Sequence, residues 1–164
     1  MEVLYSEAEI IRRIAEMGRE IARFYAGKPL TLIVLMNGGA FFGADLARAI
    51  DLPLRFDSMR AASYVADARG AVRLETAPKL DPRGREILLA DDVFDSGKTM
   101  EFCRKNLLGR GALGVRCAVL IDKRVPGRGS RPDWAGFAAP DRYLVGYGMD
   151  SCEEYRNLRF VGMV

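Results

Sequence analysis

Nine consecutive residues concentrate the chemistry of this chain: DDVFDSGKT, residues 91–99. They bring three carboxylates (Asp91, Asp92, Asp95) against a turn built from Ser96, Gly97, Lys98 and Thr99. The apolar run Ile87-Leu88-Leu89-Ala90 before them has the length and composition of a strand buried on both faces. The segment MEFCRKNLL after them carries helical periodicity through Met100, Phe102, Cys103 and Leu107. A strand, a Ser/Gly/Thr turn and a helix start make a phosphate cradle. Unpaired backbone N–H groups and the positive helix end point at the turn, and Gly97 lets the backbone come close. A nucleotide loop of the GxxxxGK[ST] kind is excluded, because Asp92 stands where its first glycine is needed. Carboxylates repel a bare phosphate, but they accept hydrogen bonds from sugar hydroxyls and can share a bridging Mg²⁺. The bland alternative is an acidic turn that caps a helix.

Such a cradle has to be held at the carboxyl edge of a sheet, and the rest of the chain supplies the elements. Ser6 and Glu9 form a capping box for a helix over 6–26 that stops at Gly27, with Ile10, Ile14, Met17, Ile21 and Phe24 as its buried stripe. Residues 30–36 read as a buried strand and 40–50 as a helix, with Asn37-Gly38-Gly39 between them. Gly38 and Gly39 can bring backbone N–H groups to an anion, or simply make a tight turn. Pro53 precedes a strand over 54–59, and the small, polar run 60–74 predicts a weak hairpin of the kind that opens and closes cheaply. Gly109 and Gly111 end the helix after the acidic motif. A strand follows over 115–121 with Lys123 just past it, and the loop from Val125 carries Trp134 and Phe137 as packing anchors. In the tail, 143–147 and 160–164 read as strands with a turn at 148–150. Alternating strands and helices predict an α/β, doubly wound sheet with the ligand at its carboxyl edge.

Composition narrows the possibilities. The 164 residues are 49% hydrophobic and 29% charged, which predicts one globular domain over 1–164. A net charge of +3 argues against nucleic acid as a partner, although Arg supplies most of the cations. There is no His, which removes imidazole bases and His metal sites. Cys103, Cys117 and Cys152 lack C-x-x-C spacing and read as reduced thiols, hence a cytoplasmic protein. No apolar run approaches a membrane span, and Glu2, Glu7 and Glu9 spoil a signal peptide.

The motif at 91–99 resembles the phosphoribosyl-diphosphate (PRPP) motif of type I phosphoribosyltransferases: two acids, two apolar residues, then Asp-Ser/Thr-Gly-x-Thr. The tail, with YLVGY at 143–147, Asp150 and YRNL at 155–158, resembles the purine end of the hypoxanthine-guanine members of that family. Lys123-Arg124 ahead of a proline fits the same enzymes, and Ser63-Tyr64 resembles the Ser-Tyr of their flexible lid. The resemblance covers roughly residues 30–164. Two departures stand out: Asn37 where purine-salvage members often carry Lys, and Asp91 where Glu is usual.

The resemblance implies a doubly wound, mainly parallel sheet with flanking helices and a small hood built from the chain ends. It implies a purine-salvage enzyme that moves the 5-phosphoribosyl group of PRPP to N9 of a 6-oxopurine, giving IMP or GMP and diphosphate. Asp95 is then the general base at purine N7. Asp91 and Asp92 hold the ribose hydroxyls, directly or through Mg²⁺, and Asp150 binds a second Mg²⁺ with the diphosphate. Asp95, Ser96, Gly97, Lys98 and Thr99 surround the 5′-phosphate, although a backbone cradle does not need the Lys98 charge. Gly38, Gly39 and Arg156 face the diphosphate. Lys123 meets the purine 6-position, Tyr143 stacks on the ring, and the peptide groups of Leu144 and Asp150 read its edge. Homodimers or homotetramers are implied as well. Two neighbouring readings are a xanthine (or pyrimidine) transferase of the same fold and a same-fold RNA-binding regulator.

Overall fold

A computed structural model of the chain describes residues 1–63 and 71–164. The elements run β1 (Glu2–Tyr5), α1 (Glu7–Tyr25), β2 (Leu30–Leu35), α2 (Ala40–Ala49), β3 (Arg55–Ser63), β4 (Val72–Thr76), β5 (Glu86–Phe94), α3 (Lys98–Gly109), β6 (Gly114–Lys123), β7 (Trp134–Ala139), β8 (Leu144–Val145) and β9 (Val161–Met163). A six-stranded sheet has the order β4-β3-β2-β5-β6-β7, parallel throughout except for the antiparallel edge strand β4. A separate antiparallel sheet, β1-β9-β8, joins the two chain ends and forms the expected hood.

Alternation along the central strands sorts the core into two layers. Leu30, Leu32, Val34, Leu88, Ala90, Ala118 and Leu120 pack under α1 and α2, while Ile33, Leu35, Ile87, Leu89, Cys117 and Val119 pack against Met100, Cys103 and Leu107 of α3. Helices therefore cover both faces, which is why these strands are apolar over most of their length. Each fully buried Leu or Ile stabilises the fold by about 1.5–3 kcal/mol, and truncating Leu88 to Ala would cost about 2–5 kcal/mol.

The capping box forms as read: Ser6 Oγ accepts from Glu9 N–H, and Glu9 Oε2 accepts from Ser6 N–H at 2.9 Å. The buried stripe of α1 ends differently. Its four-residue step from Ile21 lands on Tyr25, fully buried, whereas Phe24 is 39% exposed. Phe24 packs edge-on against Trp134, under Lys28 and Arg116.

Two strands lie where the sequence suggested none. β1 pairs with β9, and β7 lies beside β6 at the sheet edge. Trp134 and Phe137 are packing residues as expected, but on a strand rather than a loop: Phe137 stacks on Tyr5 at 4.1 Å, and Arg13 of α1 holds the carbonyls of Ala135 and Gly136. The strand expected over 143–147 shrinks to Leu144–Val145, because Gly146, Tyr147 and Gly148 all adopt positive φ. The hairpin expected over 60–74 has paired legs, with Ser63 opposite Val72. Its Tyr64 lies outside the described residues.

Candidate active site

The chain leaves β2 for β3 on one side, and β5 stands on the other, so the sheet order reverses between β2 and β5. Crevices for ligands open at such points. Residues 36–39, which follow β2 across a cis Met36–Asn37 peptide, therefore face the carboxyl end of β5. There the strand runs further than its apolar core suggested. Asp91 still pairs with Val119 of β6, and Phe94 with Asp122, so the first two acids belong to the strand and not to the turn. Sheet pairing fixes their backbone, and the two carboxyls stay within hydrogen-bonding reach of each other, Asp91 Oδ1 also accepting from Asp92 N–H at 2.9 Å.

Burial pushes both carboxyls above the usual carboxylate range. For Asp91 the neighbouring Asp92 charge adds to this. For Asp92, hydrogen bonds and the Arg156 guanidinium pull partly the other way. Asp92 Oδ1 accepts from Val93 N–H at 2.8 Å, and its other oxygen lies against the backbone of Gly38. Only a glycine fits there: a β-carbon on Gly38 would collide with that carboxylate, and one on Gly148 would collide with the Gly38 carbonyl. Two separate turns and the end of β5 thus meet around Asp92.

The phosphate turn follows. Gly97 has φ +80° and stands at the N-cap of α3, with no side chain capping the helix end. A β-carbon on it would press on the Phe94 ring and Ser130 Oγ, each at 2.8 Å. Glu101 N–H already bonds the Gly97 carbonyl at 2.9 Å, while Lys98 N–H makes only a 3.4 Å contact to Ser96 Oγ. A hollow of about 450 Å³ beside this turn is walled by Val72, Ser96, Gly97, Lys98, Phe102 and Ser130, among others.

A second hollow, of about 270 Å³, is lined by Asp92, Val93, Asp95, Lys123, Tyr143, Leu144, Met149 and Asp150. It gathers every purine-side residue read from the sequence, together with the expected base. Lys123 is the last residue of β6. Its largely buried ammonium lies 3.5 Å from Asp95 Oδ2 and 3.7 Å from Asp141 Oδ1. Tyr143 is exposed, and its hydroxyl donates to the Asp150 carbonyl at 3.0 Å.

Other expected residues stand outside this hollow. Asp91, Thr99 and Ser63 line neither cavity. Arg156 donates to the Gly148 carbonyl at 2.7 Å and pairs with Asp150 Oδ1 at 2.9 Å, so it braces the 148–153 turn. Asp150 Oδ2 accepts from Glu153 N–H. Among the described residues no three His, Cys, Asp or Glu side chains cluster closely enough to hold a metal by themselves.

Sequence reasoning missed Asp141 and Arg128. Asp141 sits in the short connection before Tyr143. Arg128 lies in the β6–β7 loop, 6% exposed, with its guanidinium on the carbonyls of Lys123, Asp95 and Phe94. No periodicity marks either residue. The only signal in the sequence is their closeness to Lys123 and Tyr143.

Comparison with known proteins gives a consistent picture. A family profile described as "Phosphoribosyl transferase domain" matches residues 2–151. The chain is 38% identical to the hypoxanthine-guanine phosphoribosyltransferase of Mycobacterium avium, over 98% of this chain and 83% of that protein. It is 36% identical to the hypoxanthine phosphoribosyltransferase of Salmonella typhimurium, over 100% of this chain and 95% of that one. Its fold superposes with a TM-score of 0.94 and 30% identity on a crystal structure of a hypoxanthine-guanine phosphoribosyltransferase from Bacillus anthracis, covering 100% of this chain and 98% of that chain.

Proposed function

The chain belongs to the phosphoribosyl transferase family, and we propose that it serves purine salvage, moving the 5-phosphoribosyl group of PRPP to N9 of hypoxanthine and also of guanine. The observation that carries this reading is the side-by-side placement of Lys123 and Asp95, 3.5 Å apart at the mouth of the 270 Å³ hollow. A 6-oxopurine presents O6 and N7 next to each other on one edge. An ammonium can only donate and a carboxylate only accepts, so the pair reads a carbonyl oxygen beside an N7–H.

In the reaction the C1–oxygen bond to diphosphate breaks and the N9–C1 bond forms, with positive charge developing on the ribose. Asp95 takes the N7 proton, which leaves the N9 lone pair available for C1. Lys123 holds O6, and Tyr143 covers the ring. Asp92 accepts from a ribose hydroxyl, and its rigid strand keeps that hydroxyl in place. The unpaired N–H groups at the start of α3 bind the 5′-phosphate, and Gly38 and Gly39 bring backbone to the diphosphate.

The donor set fits Mg²⁺ carried in with the substrate. That ion is commonly held by one or two carboxylates plus phosphates rather than by a protein cage. Asp92 and Asp91 are the carboxylates offered on the ribose side. Asp150 is available on the diphosphate side once Arg156 exchanges it for a phosphate oxygen. When bound, Mg²⁺ supplies charge neutralisation for the departing diphosphate. A homodimer or homotetramer in the cytoplasm completes the reading. It is supported by the unpaired Cys103, Cys117 and Cys152 and by the exposed Ile11 and Phe41 beside a groove of about 730 Å³.

The test is PRPP with Mg²⁺ and each of six nucleobases, followed by nucleotide formation. Hypoxanthine and guanine should be consumed and adenine left. Turnover of a pyrimidine in their place would refute the reading.

A further inference from the structure

Sheet pairing between β5 and β6 ends at Phe94 and Asp122. The two residues beyond it, Asp95 and Lys123, are the pair assigned above to purine N7 and O6. No ladder hydrogen bond sets their separation. One side chain spans the gap: Arg128 Nη1 lies 2.7 Å from the Lys123 carbonyl, 3.1 Å from the Asp95 carbonyl and 3.4 Å from the Phe94 carbonyl. Its Nε donates to the Ser130 carbonyl at 2.7 Å, which closes the loop back on itself. Nη2 sits 2.7 Å from Asp122 Oδ1, a charge contact without hydrogen-bond alignment, and the guanidinium carbon lies 4.6 Å from the Phe94 ring centre.

A guanidinium is a rigid, planar fork, and acceptors gathered on it inherit fixed mutual distances. Here the acceptors are the last carbonyls of two different strands. Four carbonyls and a carboxylate from β5, β6 and the 124–133 loop converge on one buried cation, so Arg128 cannot shift without moving the backbone of Asp95 and Lys123 together.

We propose that Arg128 is a positioning residue that sets the spacing between Asp95 and Lys123, and through it the recognition of the purine edge. The proposal rests on the purine reading of this site. Lys at this position keeps the charge, but it cannot hold these strand-end carbonyls while also reaching the Ser130 carbonyl and Asp122, the contacts through which Nε and Nη2 fix the place of Nη1.

The experiment is a double-mutant cycle on the full chain with Arg128→Lys, Lys123→Ala and the double variant, preceded by wild-type turnover of hypoxanthine. A wild type inactive with every base overturns the reading of the site, and this proposal with it. With an active wild type, Arg128→Lys should lower kcat/KM for hypoxanthine by about 10–100-fold, by analogy with the outer partners of metal ligands. The loss should fall on hypoxanthine KM and kcat more than on PRPP KM. In the Lys123→Ala background the same change should cost much less, because coupled residues are not additive. Equal loss in both backgrounds, or equal loss on both substrates, overturns the proposal and leaves the enzyme assignment standing. If thermal unfolding shows that Arg128→Lys does not fold, Asp122→Asn takes its place in the cycle: it keeps the volume, releases Nη2, and is judged by the same two outcomes.

Discussion

Gly38 and Asp92 share a space that holds one carboxylate and no β-carbon. The same crowding recurs one step out, where Gly148 closes on the Gly38 carbonyl. Backbone from residues 36–39, the end of β5 and the 146–150 turn is therefore packed as a unit around a single acidic group. That group is already disfavoured as a charge by its burial. A sugar hydroxyl or a substrate-borne cation would restore what water no longer supplies.

The first prediction follows from this contact. Gly38→Ala should push Asp92 aside, at about 1–3 kcal/mol of stability for the overpacking. PRPP KM should rise while hypoxanthine KM stays near its wild-type value, since Lys123 and Tyr143 are untouched. A melting curve and a PRPP titration both matching wild type would show that the turn has slack.

Asp95 is the acid of the motif that stands outside the strand, with its carboxylate largely open to the hollow and beside Lys123. Asp95→Asn removes the proton acceptor but keeps shape and size. It should lower kcat by about 10²–10⁴-fold, with PRPP binding little changed. Single-turnover rates measured with saturating substrates check the step directly, and a wild-type rate would assign the base elsewhere.

The cysteines give a chemical test of the core. Burial pushes the Cys103 and Cys117 thiols up to about 12, so both remain protonated through pH 9, whereas Cys152 is exposed. Only the thiolate attacks a disulfide reagent. The native protein should therefore titrate one thiol quickly at pH 8, and three after denaturation. Raising the pH to 9 should leave Cys103 and Cys117 silent. Rapid reaction of all three in the native state would mean that the α3 face opens readily.

What could be read in advance follows from the reach of each signal. The apolar runs of β2, β5 and β6 and the capping box of α1 are local patterns, and the structure keeps them. The acidic motif also carries its own geometry, because strand, turn and helix lie in one continuous stretch. Tyr25 replaced Phe24 in the core because a three- or four-residue step is equally helical. Both rings meet Trp134, more than a hundred residues away, so what separates them is not local in the sequence. β1 and β7 were hidden for a related reason: four residues of EVLY and the Ala/Gly-rich WAGFAA have little strand character until β9 and β6 pair with them. Arg128 was invisible because its partners are main-chain carbonyls, which every sequence has. That Asp91 and Asp92 both belong to β5 was legible only once the strand was known to continue through them.

Lys123 decides which base is accepted, and its surroundings sharpen the expectation. Its side chain is largely buried, with Asp95 at 3.5 Å and Asp141 at 3.7 Å and, among the described residues, no other salt-bridge partner. The two carboxylates hold its ammonium at the hollow, where it can only donate. Hypoxanthine and guanine offer an oxygen there. Adenine offers an amino group, so binding it would leave a largely buried ammonium facing another donor. Sites that leave polar groups unpaired in this way have discriminated by up to about 10⁴–10⁵-fold, and adenine should be a very poor substrate. Xanthine should fall between, because it keeps the 6-oxo group but turns its 2-oxo group toward the carbonyls near Asp150. Lys123→Ala removes the donor and leaves Asp95 and Asp141 without their shared cation. Hypoxanthine kcat/KM should fall, and its ratio to adenine should narrow by at least about tenfold, a loss of roughly 1.4 kcal/mol in discrimination. The ratio is the decisive readout, since general damage to the site lowers both bases together. An unchanged ratio would make Lys123 a solvated cation with no part in base choice, and adenine used as well as hypoxanthine by the intact protein would refute the 6-oxopurine assignment itself.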